Sequence, residues 1–93
     1  MKNNGFDFQL SVETNDQTGD VVAVYFQIRK GQSAKVKEYA GGAAFADYDR
    51  KGRLLGIELL EPCKASVLSS IAEQPSAKNF VRNAVPRGML LAK

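Results

Sequence analysis

Ninety-three residues, 44% of them hydrophobic and 25% charged, describe one small globular domain rather than a disordered or multidomain chain. The formal charge of +3 tolerates nucleic acid or an acidic partner without demanding either. Histidine is absent, which removes the commonest general base and the commonest zinc ligand together, and the single cysteine has no partner for an internal disulfide.

The chain opens on Met1-Lys2-Asn3-Asn4-Gly5, which has no signal-like character, and no apolar run approaches the roughly 20 residues of a membrane span. A reducing cytoplasm is the expected location. In residues 6–13 Phe6, Phe8, Leu10 and Val12 alternate with Asp7, Gln9, Ser11 and Glu13, the period of a half-buried strand. The turn formers of 14–20 follow. Residues 21–29 form a second strand, with Val22, Val24, Phe26 and Ile28 on one face and Tyr25, Gln27 and Arg29 on the other. A shorter, polar strand over 34–40 carries Lys35 and Lys37 and fits an exposed edge. Gly41-Gly42 breaks the chain before strands at 43–49 and 53–61.

After Pro62 the period changes. Val67, Leu68 and Ile71 mark a helix over 64–74 that Pro75 stops. Phe80, Val81, Ala84 and Val85 mark a second over 76–85, with Ser76 as N-cap and Pro86 as its end. Strands followed by helices predict an α+β fold. The expected form is an antiparallel meander of about five strands, one or two C-terminal helices on one face, and a single domain over 1–93. Phe6, Phe8, Leu10, Val22, Val24, Phe26, Ile28, Ile57, Leu59, Val67 and Ile71 are the expected core. The 43–61 hairpin admits two registers, one burying Phe45 and Leu54, the other Ala44, Ala46 and Tyr48.

Residues 47–58, DYDRKGRLLGIE, mimic a calcium loop: Asp47, Asp49, Gly52 and Glu58 stand at its first, third, sixth and twelfth positions. Lys51 stands where an oxygen ligand belongs, Arg50 and Arg53 add charge of the wrong sign, and the flanks are strand-like. The stretch reads as a hairpin whose type I turn starts at Asp49 and ends on a left-handed Gly52. Cys63, beside Lys64, lacks a histidine to activate it and spaces with Val67 and Ile71 as a core residue. Ser66, Ser69 and Ser70 equally lack a base. No phosphate-binding glycine motif occurs. The sequence therefore predicts no enzyme, no metal and no cofactor.

Two binding readings remain. On the assigned strand faces Tyr25 and Tyr39 fall on the side away from the helices, with Gln27, Lys35 and Lys37. Tyr25, Lys35, Lys37 and Tyr39 are thus the candidate contacts of a protein-interaction module that binds a small partner protein or pairs as a homodimer. The alternative is a nucleic-acid-binding module using the acid-free stretch 74–93, with Lys78, Arg82 and Arg87, and Lys93 beyond them.

Residues 20–61 carry a further pattern. Asp20, Val22, Ala23, Val24, Tyr25, Phe26 and Ile28 follow a Y-D-x-x-A-D-A-L-Y-I strand. Asp47, Tyr48, Asp49, Gly52, Gly56, Ile57, Glu58, Leu59 and Leu60 follow V-D-x-D-x-x-G-x-x-x-G-I-E-I-L. In this the chain resembles a small bacterial and archaeal family known as a domain of unknown function. The resemblance implies a β-rich unit with a following helix and no catalytic residues. Some members resemble partners encoded beside small toxin-like proteins, which implies an antitoxin-like role.

Overall fold

The computed structural model describes residues 5–91. Lys93 of the basic C-terminal stretch lies outside them. Strands β1 (Gln9–Thr14), β2 (Val21–Gln27), β3 (Lys35–Tyr39), β4 (Ala44–Tyr48) and β5 (Leu54–Leu59) form one sheet. A two-residue strand β6 (Cys63–Lys64) leads into helices α1 (Ala65–Ala72) and α2 (Pro75–Ala84), and β7 (Leu90–Leu91) returns to pair with β6 in parallel. The α+β class, the five-stranded antiparallel sheet and the two helices of the sequence reading are all present.

The sheet order is β1-β2-β5-β4-β3, every neighbouring pair antiparallel. Pairing is sequential for β1–β2, β3–β4 and β4–β5. At the link from β2 to β3 the chain steps across the sheet, and β5 returns to fill the gap. Composition explains the placement. β5 brings Leu55, Ile57 and Leu59 to the centre, where all three are buried, whereas the polar β3 takes an edge, as its lysines predict.

Each turn matches local chemistry. At the β4–β5 hairpin the Gly52 amide donates to the Asp49 carbonyl (3.0 Å) and the Asp49 amide to the Arg53 carbonyl (2.9 Å). Gly52 has φ +83°, so the loop is a type I turn closed by a left-handed glycine. At the first hairpin Asn15 Oδ1 accepts the amides of Gln17 and Thr18. Gln74, not Ser76, caps α2, and Pro75 sits in its first turn, where the missing amide costs nothing. The predicted stop is therefore a start.

The core lies between the sheet and the two helices. Val24, Phe26, Ile28, Ile57 and Leu59 meet Leu68, Ile71, Ala77 and Val81, with Ala44 and Ala46 completing the sheet side. This fixes the hairpin register: Ala46 pairs with Ile57 and Ala44 with Leu59, so the alanines and Tyr48 face the helices. An irregularity between Asp47 and Tyr48 then lets Leu54 pack against the core as well. Phe6, Phe8, Phe80 and Phe26 form an aromatic chain, stacked at 5.1 and 4.8 Å and then edge-to-face at 6.2 Å.

Two expected core residues lie outside. Leu10 is 41% exposed and Val22 43%. β1 is the sheet edge and lies beyond the helices, while Val22 is the unpaired residue where the β1–β2 register shifts. Phe6, Phe8 and Val67 are half-buried at the margin of the core.

Candidate functional site

Strand register sorts side chains between the two faces of the sheet, because residues directly opposite share a face. One row runs Ser11, Tyr25, Glu58, Phe45, Glu38, and the next Gln9, Gln27, Gly56, Asp47, Val36. These rows, with Glu13 and Ala23, make up the face away from the helices. Its charged strand residues are Glu13, Glu38, Asp47 and Glu58, with no cation among them. Glu13, Glu38 and Glu58 are exposed, and their side chains take part in no hydrogen bond or ion pair among the described residues.

Tyr25 organises the centre of this face. Its ring lies over Gly56, on the neighbouring strand, and its hydroxyl donates to Asp47 Oδ2 (3.3 Å) one strand further on. Ser33 Oγ donates to the other carboxylate oxygen, also at 3.3 Å. Burial, and then the negative charge of Asp47, push the Tyr25 hydroxyl up to about pKa 12. The phenol therefore stays a neutral donor across the physiological range. A glycine inside a strand often marks such a close approach, so Gly56 was the signal for this packing.

Lys35, Lys37 and Tyr39 do not join Tyr25. Lys35 pairs with Tyr48, Lys37 with Ala46 and Tyr39 with Ala44, which puts all three on the helix-side face. The cause is the register of the β3–β4 hairpin, which the link with positive φ at Ala40, Gly41 and Gly42 joins: Tyr39 lies opposite Ala44, whose face is buried against the helices. The three residues do come together with one another. With Tyr48, Arg50 and Glu73 they line an open groove of about 560 Å³. The Tyr39 and Tyr48 hydroxyls hydrogen-bond at 3.0 Å, and Lys37 Nζ lies 5.2 Å from the centre of the Tyr39 ring. Burial and the bond to Tyr39 hold the Tyr48 hydroxyl well above the usual phenol range.

Lys78 and Arg82 share one side of α2, where they line a shallow groove with Leu68 and Val85 of the helical layer. Arg87, in the turn after α2, is exposed and does not line it.

The calcium-like stretch forms the hairpin already described. Asp49 Oδ1 accepts the amides of Lys51 and Arg53, both at 2.9 Å, and Oδ2 takes the Arg53 guanidinium at 2.8 Å. These bonds, the Arg53 amide foremost, hold the Asp49 carboxyl below its ordinary range. Asp47 is turned to Tyr25 and Ser33. Among the described residues no three acids and cysteines converge as a metal-ligand set. Cys63 is buried in the core, and burial pushes its thiol pKa up, the wrong direction for a nucleophile at neutral pH.

Comparison with protein-family models, with curated proteins and with solved structures finds no match to this chain. Among the described residues no helix is long and apolar enough to cross a membrane. The residues that carry the sequence resemblance nevertheless have physical tasks here. Asp49 and Gly52 build the turn, and Tyr25, Gly56 and Asp47 build one packed unit across three strands.

Proposed function

We propose that this chain is a non-catalytic protein-interaction module that binds a partner protein through the open face of its sheet. The observation that carries the reading is the charge of that face. In a chain of net charge +3 it holds Glu13, Glu38, Asp47 and Glu58 and no strand cation, around the partly exposed rings of Tyr25 and Phe45. An acidic rim around aromatic anchors suits a basic polypeptide segment, whose charges would meet the Glu13, Glu38 and Glu58 carboxylates, which have no side-chain partner among the described residues. Five strands at about 4.8 Å spacing make a platform only about 19 Å wide, so the fit is to a short segment rather than to a whole domain. Such a module, with its one buried thiol, belongs in a reducing bacterial cytoplasm. The antitoxin-like role that the family resemblance implies is one form this binding would take, with a small toxin-like protein as partner.

The test is affinity capture from the native cell with the wild-type chain and with a Glu38→Lys/Glu58→Lys variant. Both positions are exposed, so the variant keeps the fold. A partner retained by the wild type and lost by the variant supports the reading. A partner retained equally by both overturns the assignment to this face.

A second reading is favoured by the tyrosine groove. Lys35, Lys37 and Arg50 beside Tyr39 and Tyr48 interleave cations with aromatic rings, as single-stranded nucleic-acid sites do. Lys78 and Arg82 form a smaller basic patch on α2. Binding of a labelled oligothymidylate that weakens steeply with salt, and is lost on Lys35→Gln/Lys37→Gln, would favour this reading.

A further inference from the structure

The two edges of the sheet differ in kind. β3 carries Lys35 and Lys37 within five residues, a common guard against unwanted strand pairing. β1 has no such guard. Its six residues, Gln9-Leu10-Ser11-Val12-Glu13-Thr14, contain one charge and no proline, and all six are exposed. Among the described residues β1 pairs with β2 alone, which leaves the outward backbone groups of the strand without a protein partner. Leu10 (41% exposed) and Val12 (44%) point to the helix side but lie past the helices, with Val22 (43%) beside them. An unguarded backbone edge and a strip of uncovered aliphatic side chains thus coincide on one strand.

We infer that β1 pairs with the β1 of a second copy of this chain in antiparallel register, joining two sheets into one of ten strands. The strand is self-complementary in one alignment. Antiparallel pairing that keeps apolar residues on one face requires the numbers of facing residues to sum to an even value. A sum of 20 sets Asp7 against Glu13. A sum of 24 sets Leu10 against Thr14 and leaves Val12 as the one aliphatic match, against itself. A sum of 22 sets Leu10 against Val12 twice and Gln9 against Glu13 twice, with Asp7 against Asn15 and Ser11 on the two-fold axis against itself. That alignment faces no like charges, buries four aliphatic side chains and offers each glutamate an amide donor.

This pairing uses the strand edge and the helix-side face. On the acidic face it engages only the β1 residues Gln9, Ser11 and Glu13, and it leaves Glu38, Asp47 and Glu58 untouched, so the inference stands apart from the open-face reading. The two-fold axis runs perpendicular to the sheet, so both acidic faces lie on the same side of the dimer and both helical layers on the other.

Light scattering behind a sizing column, combined with single cysteine substitutions, tests the inference. The expected mass at tens of micromolar is twice the 10.1 kDa of one chain. Under mild oxidation Ser11→Cys cross-links to itself, since facing Cα atoms at about 4.5–5.5 Å lie within disulfide range. Gln9→Cys alone does not, because its counterpart lies four residues along the partner strand, about 14 Å away. A mixture of Gln9→Cys and Glu13→Cys chains does. Cys63 is buried and does not compete. Val12→Lys is expected to return the chain to monomer mass with unchanged circular dichroism, and Leu10→Lys serves the same purpose should Val12→Lys fail to fold. A mass of one chain up to about millimolar protein overturns the inference. So does a dimer that survives both lysine variants, or one whose cross-linking is strongest away from Ser11. None of these results bears on whether Glu38→Lys/Glu58→Lys loses a captured partner.

Discussion

The Tyr25 hydroxyl reaches Asp47 by lying across Gly56, so residues from three adjacent strands form one packed unit on the open face. A β-carbon at position 56 would collide with the tyrosine hydroxyl and stand 2.9 Å from the Phe26 carbonyl oxygen. Gly56→Ala is therefore expected to destabilise the fold by about 1–3 kcal/mol, the usual cost of overpacking. The tyrosine ring can swing away, but the Phe26 carbonyl belongs to the neighbouring strand and cannot. In urea denaturation the double variant Gly56→Ala/Tyr25→Ala should recover only part of the loss beyond that of Tyr25→Ala itself. Full recovery would assign the whole clash to the tyrosine.

The same tyrosine makes stability depend on alkaline pH. Its hydroxyl titrates near 12 in the folded state against 10.0 as the ordinary value. A neutral acid with a raised folded pKa contributes stability that is fully present below the unfolded pKa and is lost as pH rises through the folded one. The Tyr25 contribution therefore holds below about pH 10 and fades by about pH 12. Tyr48 acts in the same direction. Tyr25→Phe should show a shallower fall in urea midpoint over this range than the wild type, with Tyr48 accounting for part of the remaining slope. Identical slopes in the two proteins would remove Tyr25 from this linkage.

Core position rather than hydrophobicity decides what a truncation costs. Phe26 is fully buried and meets Phe80 edge-to-face, so Phe26→Ala should lose about 3–5 kcal/mol. Leu10 pairs with Phe26 across the strands and shares its face, yet it is 41% exposed. Leu10→Ala should cost the monomer roughly 1 kcal/mol or less, because much of the lost side chain already met water. Denaturation at a concentration low enough to hold the chain monomeric separates the two.

Much of this fold was legible because local signals agreed with the tertiary outcome. Alternation over Val24, Phe26 and Ile28 located the buried face of β2, and the two lysines of β3 marked an edge. Asp49 and Gly52 identified a turn where a motif match suggested calcium. The misplacements have physical causes that no single segment carries. Leu10 alternates as faithfully as Phe26, but whether a strand face is covered depends on how far two short helices reach. Tyr39 was assigned to the open face, but it pairs with Ala44 and so shares the buried face of β4, a pairing no local pattern announces. The crossing from β2 to β3 was invisible because a sequence announces turns and not the strand that later fills a gap. As for the candidate surfaces, Tyr25 carried its signal in Gly56, while the grouping of Lys35, Lys37 and Tyr39 with Tyr48 and Arg50 required the hairpin register.

The turn that resembled a metal loop is held by Asp49. Both oxygens of Asp49 are engaged, Oδ1 by two amides and Oδ2 by the Arg53 guanidinium, and its carboxyl titrates below the ordinary 3.8. A carboxylate with a depressed folded pKa contributes stability that is present above the unfolded pKa and is lost as pH falls through the folded one. Asp49→Asn keeps an oxygen for the turn amides but removes the titrating carboxylate and the negative charge that attracts Arg53. The variant should therefore be less stable than the wild type at pH 7, and the gap between their urea midpoints should close as pH is lowered from about 4 toward 2. Added Ca²⁺ should leave both midpoints unmoved, because the carboxylate already serves the turn and Lys51 and Arg53 repel a cation. A wild-type midpoint raised by millimolar Ca²⁺, with no such rise in Asp49→Asn, would return the loop to a metal site. A gap that stays constant down to pH 2 would show instead that the hydrogen-bond geometry of Asp49, and not its charge, holds the hairpin closed.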